Sequence, residues 1–168
     1  MTVTLKKPKQ AVKTFAIIEV GKGSKDSFDA VRQLEESGFM VDHEAASIIR
    51  NHFAVSHERK RVSLSASTAE ELGFKDGTVL QEICRSAKGS GKKFCSGEMG
   101  VELRKVLRQK EGECVLMIVN KSLEGDETCD AIDLLMIGTD KTGRYVRGSF
   151  GSSNRPCAGF AKFVFVEA

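Results

Sequence analysis

The sequence predicts an α+β protein, with an N-terminal strand-helix-helix-strand unit and central helices packed on a C-terminal antiparallel sheet. Three observations predict it. Residues 67–108 place apolar side chains at helical spacing between capping and stop signals. Residues 59–65 (RKRVSLS) alternate with a period of two, the mark of a half-buried strand. Residues 114–166 consist of apolar and β-branched runs separated by glycine-bearing turns.

Taken in order, residues 1–12 form a flexible basic arm. Residues 13–20 (KTFAIIEV) are β-branched and aromatic enough for a first strand, which the run from Gly21 to Ser24 breaks. A helix starts near Asp26, turns Phe28, Val31 and Leu34 inward, and stops at Ser37-Gly38. Asp42 caps a second helix with Ala45, Ile48 and Ile49 on its apolar face. In the strand at 59–65, Val62 and Leu64 point inward and Arg61, Ser63 and Ser65 outward.

Ser67 and Thr68, three residues before Glu70 and Glu71, then cap a short helix that Gly73 ends. Asp76-Gly77 makes a turn, and Thr78 with Gln81 opens a helix carrying Leu80, Ile83, Cys84 and Ala87 on one face. After Gly89-Ser90-Gly91, Ser96 caps a helix striped by Met99, Leu103, Val106 and Leu107. Residues 114–120 (CVLMIVN) are a buried strand, 123–130 an acidic loop, and 131–138 and 144–150 a hairpin turning at 139–143. After a loop at 151–156, residues 160–166 (FAKFVFV) close the sheet. Residues 13–168 make a single α+β domain, or two lobes (13–66 and 67–168) sharing an interface.

The net charge is +3, and its placement limits the partners. Lys6, Lys7, Lys9 and Lys13 give residues 1–18 a charge of +4, leaving the rest at −1 with 22 basic and 23 acidic groups. A near-neutral body does not carry the footprint of a dedicated nucleic-acid binder, although the arm suits a salt-sensitive contact with a polyanion. No run approaches the ~20 apolar residues of a membrane span, and residues 15–20 are too short for a signal peptide. A cytoplasmic protein with no membrane partner is expected. Five cysteines, an odd count without Cys-x-x-Cys spacing, predict neither disulfides nor a zinc site, and no motif calls for a cofactor.

Residues 71–77 (ELGFKDG), Ile83-Cys84, Phe94-Cys95, Glu98, Gly100, Leu103-Arg104 and the closing 163–166 resemble a group of small bacterial proteins described only as hypothetical. The similar segment covers residues 71–108 and the last strand. Ser96 and Gly97 stand where the group shows proline and alanine, and Lys105 where a second leucine is common. The resemblance implies a bacterial origin and brings no activity with it.

Chemistry has few candidates. Cys95, just before a helix cap and near Lys92 and Lys93, has the setting of a stabilised thiolate, yet a small buried hydrophobe fits the same position. His43 and His57, in a stretch that also holds His52 and Arg50, have the residue types of a general acid–base pair for RNA cleavage. Residues 88–93 (KGSGKK) lack the spacing of a phosphate loop. Arg144, Tyr145 and Arg147, with Arg155, and the run Arg59-Lys60-Arg61, are the candidate surfaces for a protein or nucleic-acid partner. Arg144 has the opposite facing from Tyr145 and Arg147 by strand alternation. The expectation is a non-catalytic binding protein acting through a sheet face or end loops on a macromolecular partner. Its rival is a small His- or Cys-dependent hydrolase of ribonuclease type.

Overall fold

Nine strands and four α-helices alternate irregularly along the residues that the computed structural model describes, which are 13–21, 24–53, 56–119, 129 and 132–167. Seven strands form one mixed sheet. In spatial order they are β1 (Thr14–Val20), β3 (Lys60–Thr68), β9 (Lys162–Val166), β5 (Cys114–Val119), β6 (Asp133–Asp140), β7 (Gly143–Ser149) and β2 (Met40–Val41). β4 (Thr78–Val79) and β8 (Pro156–Cys157) make a separate two-stranded ribbon.

This corrects the antiparallel C-terminal sheet that the sequence predicts. β9 pairs antiparallel with β3 but parallel with β5, and β2 runs parallel to β7. The N-terminal strands therefore join the sheet instead of packing on it, because β9 lies between β3 and β5. The arm at 1–12 and the acidic loop at 123–130, apart from Cys129, lie outside the described residues.

The first face of the central strands is covered along its length and the second over part of it, which explains the continuous apolar run in β5. On the first face, Val115, Met117 and Val119 share a core with α1 (Ser27–Glu36), α2 (His43–Asn51) and α4 (Gly97–Val106). On the second, Ile118, Leu134, Phe163 and Phe165 pack with Leu80, Ile83, Cys84 and Ala87 of α3 (Leu80–Gly89). Ser65 and Ser67 stand opposite Phe165 and Phe163 across the β3–β9 ladder, small residues leaving room for rings. Ser65 is buried there and not outward.

The caps fall where polar side chains can reach free amide groups. Asp26 accepts from the Asp29 amide, Asp42 from Ala45 and Ser96 from Met99. Four expectations fail locally. Residues 69–73 form turns and not a short helix, with Thr68 Oγ1 accepting from the Glu71 amide at 3.1 Å. Thr78 belongs to β4, and α3 starts without a side-chain cap. Phe28 is exposed beneath the Arg50 guanidinium, 4.4 Å from its ring centroid. Val106 is also exposed, because α4 turns Glu98, Val101, Glu102 and Arg104 into the core beside Leu103.

Two of those buried charges fasten the helix. Glu98 accepts from the Gly21 amide and from the amide and hydroxyl of Ser56, joining the chain after β1 to the chain before β3. Arg104, fully buried, donates to the carbonyls of Gly138, Tyr145 and Leu107 and to the Gln109 side chain. No described helix is long and apolar enough to cross a membrane.

Candidate functional site

The second sheet face is only partly roofed. Among the described residues, α3 and the β4–β8 ribbon cover β9 and the near ends of β5 and β6, and none covers the far ends of β5, β6 and β7. Cys114, Gly138 and Tyr145 lie in one row across those three strands. Because Gly138 has no side chain, the Tyr145 ring lies directly on it, and a Cβ there would collide with the ring and its hydroxyl. Burial, and then the neighbouring Cys114 thiol, push the Tyr145 hydroxyl up to about 12.

Arg147 lies over the same ring, its guanidinium carbon 3.8 Å from the centroid. Asp140 holds it there through a 2.7 Å ion pair. The Asp140 carboxyl is itself kept down to about 2 by the Thr142 hydroxyl and amide and by Arg147. Arg155 extends over Met136 on the same face, its Nη2 3.5 Å from the sulfur, and forms no ion pair with a described residue. The result is a glycine, a tyrosine ring and a guanidinium stacked outward from the sheet, with a second guanidinium alongside.

Beside this stack, at the amino ends of the parallel neighbours β5 and β9, a crevice of about 510 Å³ opens. Phe15, Leu107, Val115 and Leu116 line it, Phe160 stands at its side, and Arg108 and Lys162 border it. Phe15 enters through a bulge that interrupts the β1–β3 register between Thr14 and Ala16. The Lys162 ammonium lies 5.8 Å from the Phe15 ring centroid. Phe160 is 86% exposed, the most open of the large apolar side chains described. Glu113, the acid of this border, turns back to accept from the Lys110 amide. Cys114 also lines the crevice and so links it to Tyr145.

The residues singled out from the sequence are thus dispersed. Tyr145, Arg147 and Arg155 come together. Arg144 faces the other way, over Phe39 and near Arg104. Arg59, Lys60 and Arg61 lie at the opposite side of the sheet, where Arg59 pairs with Glu19 at 3.0 Å. Cys95 sits in an isolated pairing with Val119 while its neighbour Lys93 pairs with Val166, so residues 93–95 wedge between the carboxyl ends of β5 and β9. It is 3% exposed, and burial pushes its thiol up to about 12. His43 and His57 are exposed, and no hydrogen bond or ion pair among the described residues joins either to Cys95.

Sequence reasoning placed His52 in the histidine stretch but missed its partner: His52 Nε2 meets Asp133 Oδ2 at 2.7 Å across 81 positions. Its Nδ1 is buried without a hydrogen-bond partner among the described residues. It also missed Cys114, Phe160 and Lys162. Phe160 was read as the first residue of the closing strand, whereas β9 starts at Lys162 and leaves Phe160 in the turn before it. Among the described residues, no group of three or more His, Cys, Asp or Glu is placed to hold a metal. Compared with family models, curated proteins and solved structures, the chain matches none.

Proposed function

We propose that this is a non-catalytic bacterial binding protein that engages an anionic macromolecular partner through the open part of its second sheet face. The observation that carries this reading is the Arg147 guanidinium, held over the Tyr145 ring beside Arg155 on a surface that no described residue roofs. Planar, pre-positioned guanidinium groups bind carboxylates and phosphates with little ordering cost. The charges of the near-neutral body are segregated here: Arg108, Arg147, Arg155 and Lys162 outnumber Asp140 and Glu113 along the stack and the crevice.

Fluorescence anisotropy of the full chain with labelled single-stranded RNA and with labelled polyglutamate, in about 50 mM salt, tests the reading. At least one polymer should bind, and Arg147→Glu with Arg155→Glu should weaken it at least about tenfold. Asp140→Asn, which frees Arg147 from its ion pair, should tighten binding several-fold. Binding of neither polymer, or equal binding by the double variant, overturns the reading.

The hydrolase has less support. Cys95 is shut in, and the His52–Asp133 pair, which among the described residues resembles an oriented base, turns its remaining nitrogen into the core. Cleavage of the RNA that His52→Ala abolishes would replace binding with catalysis.

A further inference from the structure

Resting on that reading, we infer that the crevice between the amino ends of β5 and β9 takes one base of a single-stranded nucleic acid, whose neighbouring phosphates lie on Lys162, Arg108 and the Arg147–Arg155 pair. Phe160 supplies the first reason. An aromatic ring 86% exposed beside a cleft with apolar walls gains most by stacking on another flat surface. The crevice, at about 510 Å³, falls within the range of small-molecule sites and has room for a base.

Charge gives the second reason. Arg108 and Lys162 border the crevice without an ion pair to any described residue, while Glu113 is engaged with its own loop. Each nucleotide of a single strand offers one ring face and one phosphate, and this surface offers both kinds of contact in sequence. Placement gives the third reason. Cys114 at the crevice, Gly138 and Tyr145 form one row across adjacent strands, with the Tyr145 ring lying over Gly138 and the Arg147 guanidinium over that ring. The guanidinium therefore stands within reach of a phosphate next to a base held in the crevice. An acidic peptide would use the guanidinium groups equally well, but it would not bring a ring with every charge.

The test uses the full chain and a single-stranded hexanucleotide with one 2-aminopurine, followed by anisotropy for binding and by base fluorescence for stacking. Binding should quench the 2-aminopurine. Phe160→Ala should restore its fluorescence and weaken affinity about tenfold, the expected loss of one base–aromatic stack. Far-UV circular dichroism should be unchanged, since Phe160 is exposed. Lys162→Glu should lower the salt slope by about one. If the hexanucleotide binds through Arg147 and Arg155 while Phe160→Ala changes neither readout, the crevice inference falls and the binding reading stands. If polyglutamate binds and the hexanucleotide does not, nucleic acid is excluded and an acidic protein partner remains. If neither binds, both fall.

Discussion

Arg104 is a fully buried guanidinium with no carboxylate partner among the described residues. Its acceptors are carbonyl oxygens at the end of α4 and on β6 and β7, so it caps the helix and fastens it to the sheet. Burial, and then Arg144, lower it to about 10. In sequence it belongs to LRKVLR, which reads as a helix with its charges in water, because nothing local shows that β6 and β7 will present carbonyls to it. Cys95 is different: its hydrophobic alternative was legible, and the wedge between two strands explains the burial. Iodoacetamide at neutral pH should label it far more slowly than a free thiol, because access and thiolate are both lacking. Its pH effect has a definite sign. A thiol raised from 9.0 to about 12 favours the protonated folded state, so its contribution is intact below pH 9 and fades as pH climbs towards 12. Urea denaturation across that window should show falling stability, with a shallower fall in Cys95→Ala. An equal slope in the two proteins would refute the assignment.

Elements were legible where one polar cap and one apolar stripe sufficed. α2 follows its sequence closely, with Asp42 at the cap and Ala45, Ile48 and Ile49 buried. α4 does not, because a helix packed against α1, α2 and β1 buries more than one stripe, and the apolar spacing alone picked the wrong edge of it. The docking of α2 depends on Gly148 of β7. Asp42 Oδ1 accepts from both the Ala45 and Gly148 amides, drawing the helix start onto the strand. A Cβ on Gly148 would come within 2.5 Å of the Ala45 nitrogen and 2.7 Å of the Glu44 carbonyl carbon, and both are backbone. Gly148→Ala should therefore cost about 1–3 kcal/mol through forced displacement of the helix. Thermal unfolding would register this as a drop in Tm of several degrees, and an unchanged Tm would mean that α2 shifts freely.

At the scale of the molecule, the six longer strands were legible, while the two-residue strands β2, β4 and β8 and the strand order were not. Alternation and turn signals locate β3, β6 and β7, but which edges meet depends on contacts between residues far apart in sequence. The same holds for the candidate site: Tyr145 and Arg147 were visible on one strand, whereas Cys114, Phe160 and Lys162 join them only through the sheet. The central strand β9 follows all its sheet partners along the chain. A variant ending before Lys162 would leave β1–β3 and β5–β6–β7–β2 as separate pieces, each with an open apolar edge. It should lose the cooperative urea transition of the full chain; a retained transition would mean that the two pieces associate without it. On the ribosome the same geometry sets an order of events. Helices and hairpins can form as they emerge, but the sheet stays split until the last strand clears the exit tunnel, and two unpaired edges await it at the stage when aggregation is the main hazard.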